Sequence, residues 1–279
     1  MATQSVWPNG TKCAAVLSFD LDAETSWISR DPENARRPVV ISGGRFGPKC
    51  GVPGIIEVLS EFDLPASFFI PSVSAERYPE AVEHILKAGY EVGAHGHMHE
   101  RVDTLPPGQE EEILTKSIGI LEKATGRKPL GYRSPSWELS PVTLALLEKH
   151  GFLYSSNMMD DYCPYMHPPQ GSGQPLVELP VSWLLDDAPF FQWGLGRDSR
   201  PMQPASNVLE IWTEEFAGIY RRGGLFMLTM HPQIIGRVSR LEMLRNLIRY
   251  MQGFPHVWFA TGEAVARHWR SRTLERAER

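Results

Sequence analysis

The sequence predicts an α/β fold in which parallel strands are covered by helices. Three observations carry this expectation. Short apolar runs alternate with longer amphipathic ones along most of the chain, the rhythm of repeated strand–helix units. The first apolar run is followed by FDLDAET and not by a glycine-rich phosphate turn. That moves the expectation away from a nucleotide-binding open sheet and toward a barrel. Finally, each singular polar motif falls at the C-terminal end of an apolar run, where residues distant in sequence share one face.

The elements follow in order. CAAVLSF (13–19) reads as a buried strand. VPGIIEVLSEF (52–62) has helical spacing, with Pro53 in the first turn where its missing N–H costs nothing. ASFFI (66–70) is a strand, ERYPEAVEHILKAG (76–89) a helix closed by Gly89, and YEVGAH (90–95) a strand. PPGQEEEILTKSIGILEKATG (106–126) is a helix with acidic residues at its start and Gly126 as its stop. LGYRSP (130–135) is a short strand, and SPVTLALLEKHG (140–151) a helix with Ser140 as cap and Pro141 in first position. FLYSS (152–156), LVELPVSW (176–183), GLFMLTMH (224–231) and HVWFATG (256–262) read as strands. SNVLEIWTEEFAGIYRRG (206–223), SRLEMLRNLIRYMQG (239–253) and a final stretch from about 262 to 272 read as helices. No internal repeat or linker divides the chain, so 1–279 is expected to be a single domain. Two stretches, 22–51 and 157–175, read as long loops at strand ends, and loops of that length usually serve a purpose.

Composition excludes several functions. The net charge of −5 and the absence of a basic face argue against nucleic acid. No run is long enough to cross a bilayer, and the first residues carry no secretory signal pattern, so a cytoplasmic protein is expected. Cys13, Cys50 and Cys163 are far apart and odd in number, which predicts neither a disulfide framework nor a thiolate zinc cluster.

The chemistry concentrates in a few places. GAHGHMHE puts three of the nine histidines, His95, His97 and His99, within five residues beside Gly93 and Gly96. Asp22, His95 and His99 form a ligand set of the mixed nitrogen and oxygen type, which leaves a catalytic ion a free position. Such a set accepts zinc, cobalt, manganese or nickel. The spacing of His97 does not suit it, so that ring is expected to point away, pack, or support a ligand. Asp20 and Asp22 follow the first strand at period two. Two bare carboxylates on one side repel, and a cation or proton must compensate. His231, at the tip of a strongly apolar strand, is either a core histidine satisfied by backbone or a general acid. Arg133 is a candidate partner for Asp20 or a substrate anion, and Asp187 for orienting His231 or Arg133. Either is equally an ordinary ion pair. The aromatic residues Trp27, Phe46, Trp137, Trp183, Phe190, Phe191 and Trp193 are candidates to cap a small pocket or to line an oligomer interface.

These motifs, in this order, resemble the polysaccharide deacetylase (NodB-homology) family. The resemblance is strongest to the branch of peptidoglycan-deacetylase-like, allantoinase-like and cyclic-imide-hydrolase-like proteins. SFDLD resembles the first motif, which implies Asp20 as catalytic base and Asp22 as metal ligand. GAHGHMHE resembles the H-x-x-x-H metal motif, implying His95 and His99. GYRSPSW implies Arg133 as the residue that orients the base. ELPVSWLLDDAPFF resembles a branch motif with a paired-Asp tip, Asp186 and Asp187. LTMHPQIIGR implies His231 as the acid. The fold implied is a distorted, incompletely closed (β/α) barrel of about seven strands, and a homo-oligomer, dimer or tetramer, is implied by analogy. Sugar-acting members usually carry FDDG where this chain has FDLD. The expected activity is therefore metal-dependent hydrolysis of a carbon–nitrogen bond in a small amide or cyclic imide, with one divalent ion, zinc first. The alternatives are an N-acetyl sugar or peptidoglycan deacetylase and a non-catalytic relative.

Overall fold

Strand β1, Cys13–Asp20, is buried along its whole length and pairs with three other strands. In a strand, alternate residues face opposite sides. Cys13, Ala15, Leu17 and Phe19 therefore enter the larger hydrophobic cluster beneath the helices, whereas Ala14 and Val16 enter a smaller one on the inner face. That parity delivers Ser18 and Asp20 to the inner face, and with them the site. The same alternation along β8, Leu225–Met230, sends Phe226, Leu228 and Met230 outward and Leu225 and Met227 inward, so that His231, just past the strand, falls on the inner parity.

The chain is shown in a computed structural model that describes residues 6–106, 108–171, 173–192 and 201–277. Besides β1 and β8, the strands are β2 Ser67–Ile70, β3 Glu91–Ala94, β4 Gly131–Tyr132, β5 Tyr154–Ser155, β6 Tyr165–Met166, β7 Val177–Glu178 and β9 Val257–Phe259. They form a curled, open sheet in the order β6-β7-β5-β4-β3-β2-β1-β8. All pairings are parallel except β6 with β7. β9 pairs with the first residues of β1, the half that β2 does not reach. This is an α/β half-barrel, a distorted (β/α) barrel as expected, with nine strands among the described residues where about seven were implied. Eight of them coincide with runs read above as strands; β6, two residues long, is too short to show a periodicity.

The helices bury one face each. Ile55 and Val58, Val82 and Ile85, Leu114 and Leu121, and Leu244 and Leu247 all join the larger cluster. Burying each such side chain contributes about 1.5–3 kcal/mol. Gly126 and Gly223 close their helices in the left-handed conformation expected of them. The stretch expected as one helix from 76 is two, Ser72–Arg77 and Pro79–Lys87, because Pro79 lacks the N–H that would continue the first and holds Tyr78 out of the helical region. The helix expected from Pro141 begins at Thr143, and Ser140 instead caps the preceding turn by accepting from the Val142 amide. Cys13 is fully buried, and burial raises its thiol to about 12, as fits a core residue. All three cysteines are free.

The stretch 22–51 is not a structureless loop. It holds short helices at Thr25–Ile28 and Pro32–Arg36, a longer one at Pro38–Phe46, and a wide turn at Gly47–Gly51 that runs into the helix Val52–Glu61. Its polar and glycine-rich composition hides the helices, which form because they pack against β8's exit. A Cβ on Gly51 would stand 2.1 Å from the Pro232 carbonyl oxygen, immediately after His231. Gly51→Ala is expected to destabilise the protein by about 1–3 kcal/mol by overpacking. Because the displaced backbone adjoins His231, activity per folded molecule should fall as well. Thermal unfolding together with kcat checks this, and a variant of unchanged kcat would show that the contact carries stability alone.

The stretch 157–175 does not reach the crevice. It supplies β6, an antiparallel addition to one end of the sheet.

Candidate metal centre

Three chain tips converge on the inner face. Asp20 ends β1, and Asp22 follows two residues later. His95 follows β3, and His99 lies in the turn beyond it. That turn needs two left-handed residues, Gly96 at φ 70° and His99 at φ 63°. Glycine takes the first without penalty, whereas a histidine there costs about 1 kcal/mol. The strained backbone is what turns the second imidazole back toward the first, and the two rings lie edge to face with centroids 5.1 Å apart. The turn is fixed by Ser72 N–H and Ser117 Oγ donating to the Gly96 carbonyl at 3.0 and 2.8 Å.

Asp22 Oδ1 lies 3.4 Å from His95 Nε2, and Asp22 Oδ2 lies 3.5 Å from His99 Nε2. All three residues are buried. Their ligand atoms lie within 4.8 Å of one another. The residues fit a divalent ion on two further counts. Asp22 Oδ1 is buried without a hydrogen-bond partner, a costly state that a cation relieves. His95 Nδ1 lies 2.7 Å from the Arg133 carbonyl oxygen, which fixes the proton there and leaves Nε2 as a lone pair. Burial lowers the His99 imidazole to about 4, the neutral form a ligand requires. Burial lowers His95 too, but Asp20 and Asp22 together raise it on balance, so an ion arriving there displaces a proton. Burial alone would raise Asp22; the three imidazoles around it, His99, His95 and His231, hold it well below the ordinary carboxylate range.

Around this cluster each predicted group has a partner. Arg133 is fully buried and donates from Nη1 to Asp20 Oδ1 at 2.7 Å and to Ser18 Oγ at 2.9 Å. Its Nη2 donates to Ser156 Oγ at 3.1 Å, and its guanidinium lies 4.1 Å over the Phe69 ring. Asp187 Oδ1 accepts from His231 Nδ1 at 2.6 Å, and its Oδ2 from the His231 amide at 3.0 Å. His231 Nε2 is thereby turned toward the cluster, 3.7 Å from Asp22 Oδ2. Burial by itself lowers His231, but Asp187, with smaller contributions from Asp186 and Asp22, raises it well above the ordinary histidine value. The paired-Asp tip reaches this position because Asp186 bridges to Thr229 beside β8 and the Asp187 amide donates to the Thr229 carbonyl. Burial raises Asp186 to about 7, and its Oδ1 lies 3.8 Å from His231 Nδ1. Of the open pairings read from sequence, Arg133 with Asp20 and Asp187 with His231 are those the structure contains.

A cleft of about 430 Å³, counting the part open to solvent, exposes Asp20, Asp22, His95, His99 and His231 together. Trp137 and Trp183 line it and pack against each other, with centroids 4.3 Å apart and planes tilted by 34°. Ser136 and Trp137 both adopt φ 58°, which bends GYRSPSW sharply enough to bring the indole to the cleft. The other aromatics serve elsewhere. Phe191 is in the core with Phe190 against it, Phe46 lies under Arg237, Trp27 is half-buried, and Trp193 lies outside the described residues. His97 points away, with Nδ1 2.7 Å from Ser72 Oγ and Nε2 accepting from Lys116 at 2.8 Å. Sequence reasoning missed Ser18, Ser156 and Ser26, the last lining the cleft with its buried Oγ unpartnered. Ser18 shares the parity of Asp20 and was within reach of a strand-pattern argument; the other two carry no such signal.

Two buried imidazoles and a carboxylate able to hold an ion, beside a second carboxylate and a third imidazole, form the apparatus of a hydrolase. The fold and this constellation define a metal-dependent hydrolase of carbon–nitrogen bonds other than peptide bonds. Comparison with known proteins agrees. The polysaccharide deacetylase family model matches residues 46–155. The chain is 32% identical over 273 residues to a peptidoglycan deacetylase of Helicobacter pylori, covering 88% of this chain and 92% of that one. It is 38% identical to a Mycobacterium smegmatis protein provisionally described as a polysaccharide deacetylase, whose crystal structure superposes with a TM-score of 0.90 and coverage of 96% and 93%. The structure of the PuuE allantoinase shares the fold at 23% identity, with a TM-score of 0.83 and coverage of 96% and 94%. The chain belongs to the polysaccharide deacetylase family. Among the described residues no helix is long and apolar enough to cross a membrane.

Proposed function

We propose that this protein removes the acetyl group from an N-acetylated sugar, of the kind found in peptidoglycan, with one divalent ion held by Asp22, His95 and His99. Zinc is the first choice, and cobalt, manganese and nickel suit the same mixed donors. The observation that carries the reading is the sharing of one cleft by the three ligands, the Asp20–Arg133 pair and the His231–Asp187 pair. Similarity along most of the chain to a peptidoglycan deacetylase supports an N-acetyl substrate over the cyclic imide expected from sequence. The allantoinase likeness supports the fold alone. The groups come from β1 through β8, so the whole chain serves as one catalytic unit.

When bound, the ion supplies Lewis acidity toward the amide carbonyl and acidifies a neighbouring water. Asp20 takes the proton of the attacking water. Arg133 aims Asp20, donating to its Oδ1 at 2.7 Å. His231 Nε2 donates a proton to the nitrogen as the carbon–nitrogen bond breaks, because an amine leaves poorly as an anion. Asp187 holds the imidazole in place and favours its protonated form. Water and amide become acetate and a free amine.

The test is acetate release from chitooligosaccharides and peptidoglycan fragments, run beside ring opening of hydantoin, succinimide and allantoin, with metal content measured on the same protein. Acetate is expected, and it should stop on chelation. Ring opening without acetate would overturn the substrate, and full turnover after complete metal removal would overturn the mechanism.

A further inference from the structure

Arg30 lines the same cleft. Its neighbour Ser29 places Oγ 3.4 Å from His99 Nδ1. The segment is anchored to the metal cluster, with Thr25 Oγ1 donating to the Asp22 carbonyl at 2.7 Å and Asn34 Nδ2 to the Trp27 carbonyl at 2.9 Å. Arg30 is therefore held at the rim by ordered backbone, with its side chain exposed. Among the described residues it has no ion-pair or hydrogen-bond partner.

Most other charges of the cleft have close partners, and Asp186 accepts from the Ala188 amide at 2.6 Å. Asp20 has Arg133, Asp187 has His231, and Asp22 has the histidines and the ion they would share. Arg30 is the one lysine or arginine among the described lining residues, and no carboxylate among the described residues lies within 4.0 Å of its guanidinium. A guanidinium presents a planar fork of donors that matches a carboxylate.

We propose that Arg30 is a specificity residue that pairs with a carboxylate on the substrate, so that the preferred substrate is an acetamido sugar bearing an anionic substituent. This rests on the deacetylase reading above.

The test uses a matched pair, N-acetylmuramic acid and its methyl ester, titrated calorimetrically into zinc-loaded wild type, Arg30→Ala and Arg30→Lys. Wild type should bind the acid at least about tenfold more tightly than the ester, the usual worth of one charged hydrogen-bonded contact. That ratio should fall to about one in Arg30→Ala, remain in part in Arg30→Lys, and shrink in wild type as salt is raised. Equal affinity for the two compounds in wild type, or no binding of the acid, overturns the assignment. So does a preference that survives in Arg30→Ala, which would put the carboxylate on the ion. Acetate release is followed in parallel. Ring opening of imides with no acetate from either compound would refute the deacetylase reading, whatever the binding ratio.

Discussion

Asp22→Ala is expected to lose both the ion and nearly all turnover. Removing the carboxylate leaves two imidazoles, which supply lone pairs but no charge to offset a dication, and opens one of three protein positions. Changes outside the ligand set cost metal sites about 10–100-fold in affinity or activity. Loss of a ligand should exceed that clearly. The fold should survive, because Asp22 Oδ1 is buried without a hydrogen-bond partner in the protein, so its removal breaks no such bond. Elemental analysis of folded, monodisperse variant is the measurement, with kcat/KM beside it. His95→Ala should behave alike, and chelation of wild type should reproduce the loss until metal is restored. Acid should weaken the site, since His95 is held above its ordinary value and its proton competes with the ion. A variant with a full complement of metal and unchanged turnover would refute the ligand assignment.

His231→Ala should separate chemistry from metal binding. Its Nε2 faces the cluster from 3.7 Å, but its Nδ1 is committed to Asp187, and the ligand set is complete without it. Metal content should stay near wild type while kcat falls by about 10²–10⁴-fold, the usual contribution of a positioned acid. Asp187→Asn refines the point. The Asp187 carboxylate is the main influence opposing burial at His231, and it raises that pKa. An acid acts only while protonated, so activity is present below the His231 pKa and lost as pH rises through it. Without the carboxylate that pKa falls, and the alkaline limb of the kcat profile should move to lower pH. A limb that stays put in Asp187→Asn, with kcat merely scaled, would show that another group is the acid.

Much of the fold was legible in local pattern. Apolar runs such as CAAVLSF and GLFMLTM can only be buried strands, and the glycines at 126 and 223 mark helix ends because an αL residue is needed there. Where the pattern failed, a local rule yielded to packing. The stretch 22–51 looks like loop because its glycines and prolines are poor helix formers, yet Gly44 and Gly51 are there for close approach to neighbouring backbone. The stretch 157–175 was equally loop-like and stands beside the sheet, not over the cleft, because β6 pairs with β7 at its far end.

The site divides in the same way. Residue type, strand parity and the spacing of His95 and His99 were enough to nominate the three candidate ligands and the second carboxylate, because those properties are written locally. Which partner each remaining group takes was not local. Arg133 chooses Asp20, and Asp187 chooses His231, only because the curled sheet brings β1 to β4's exit and the tip after β7 back to β8. Arg30 at the rim and the packed pair Trp137 and Trp183 belong to the same class. Sequence determined which chemistry was available; the curl of the sheet decided which groups meet, since electrostatic and hydrogen-bond energies depend on distances that residue order does not contain.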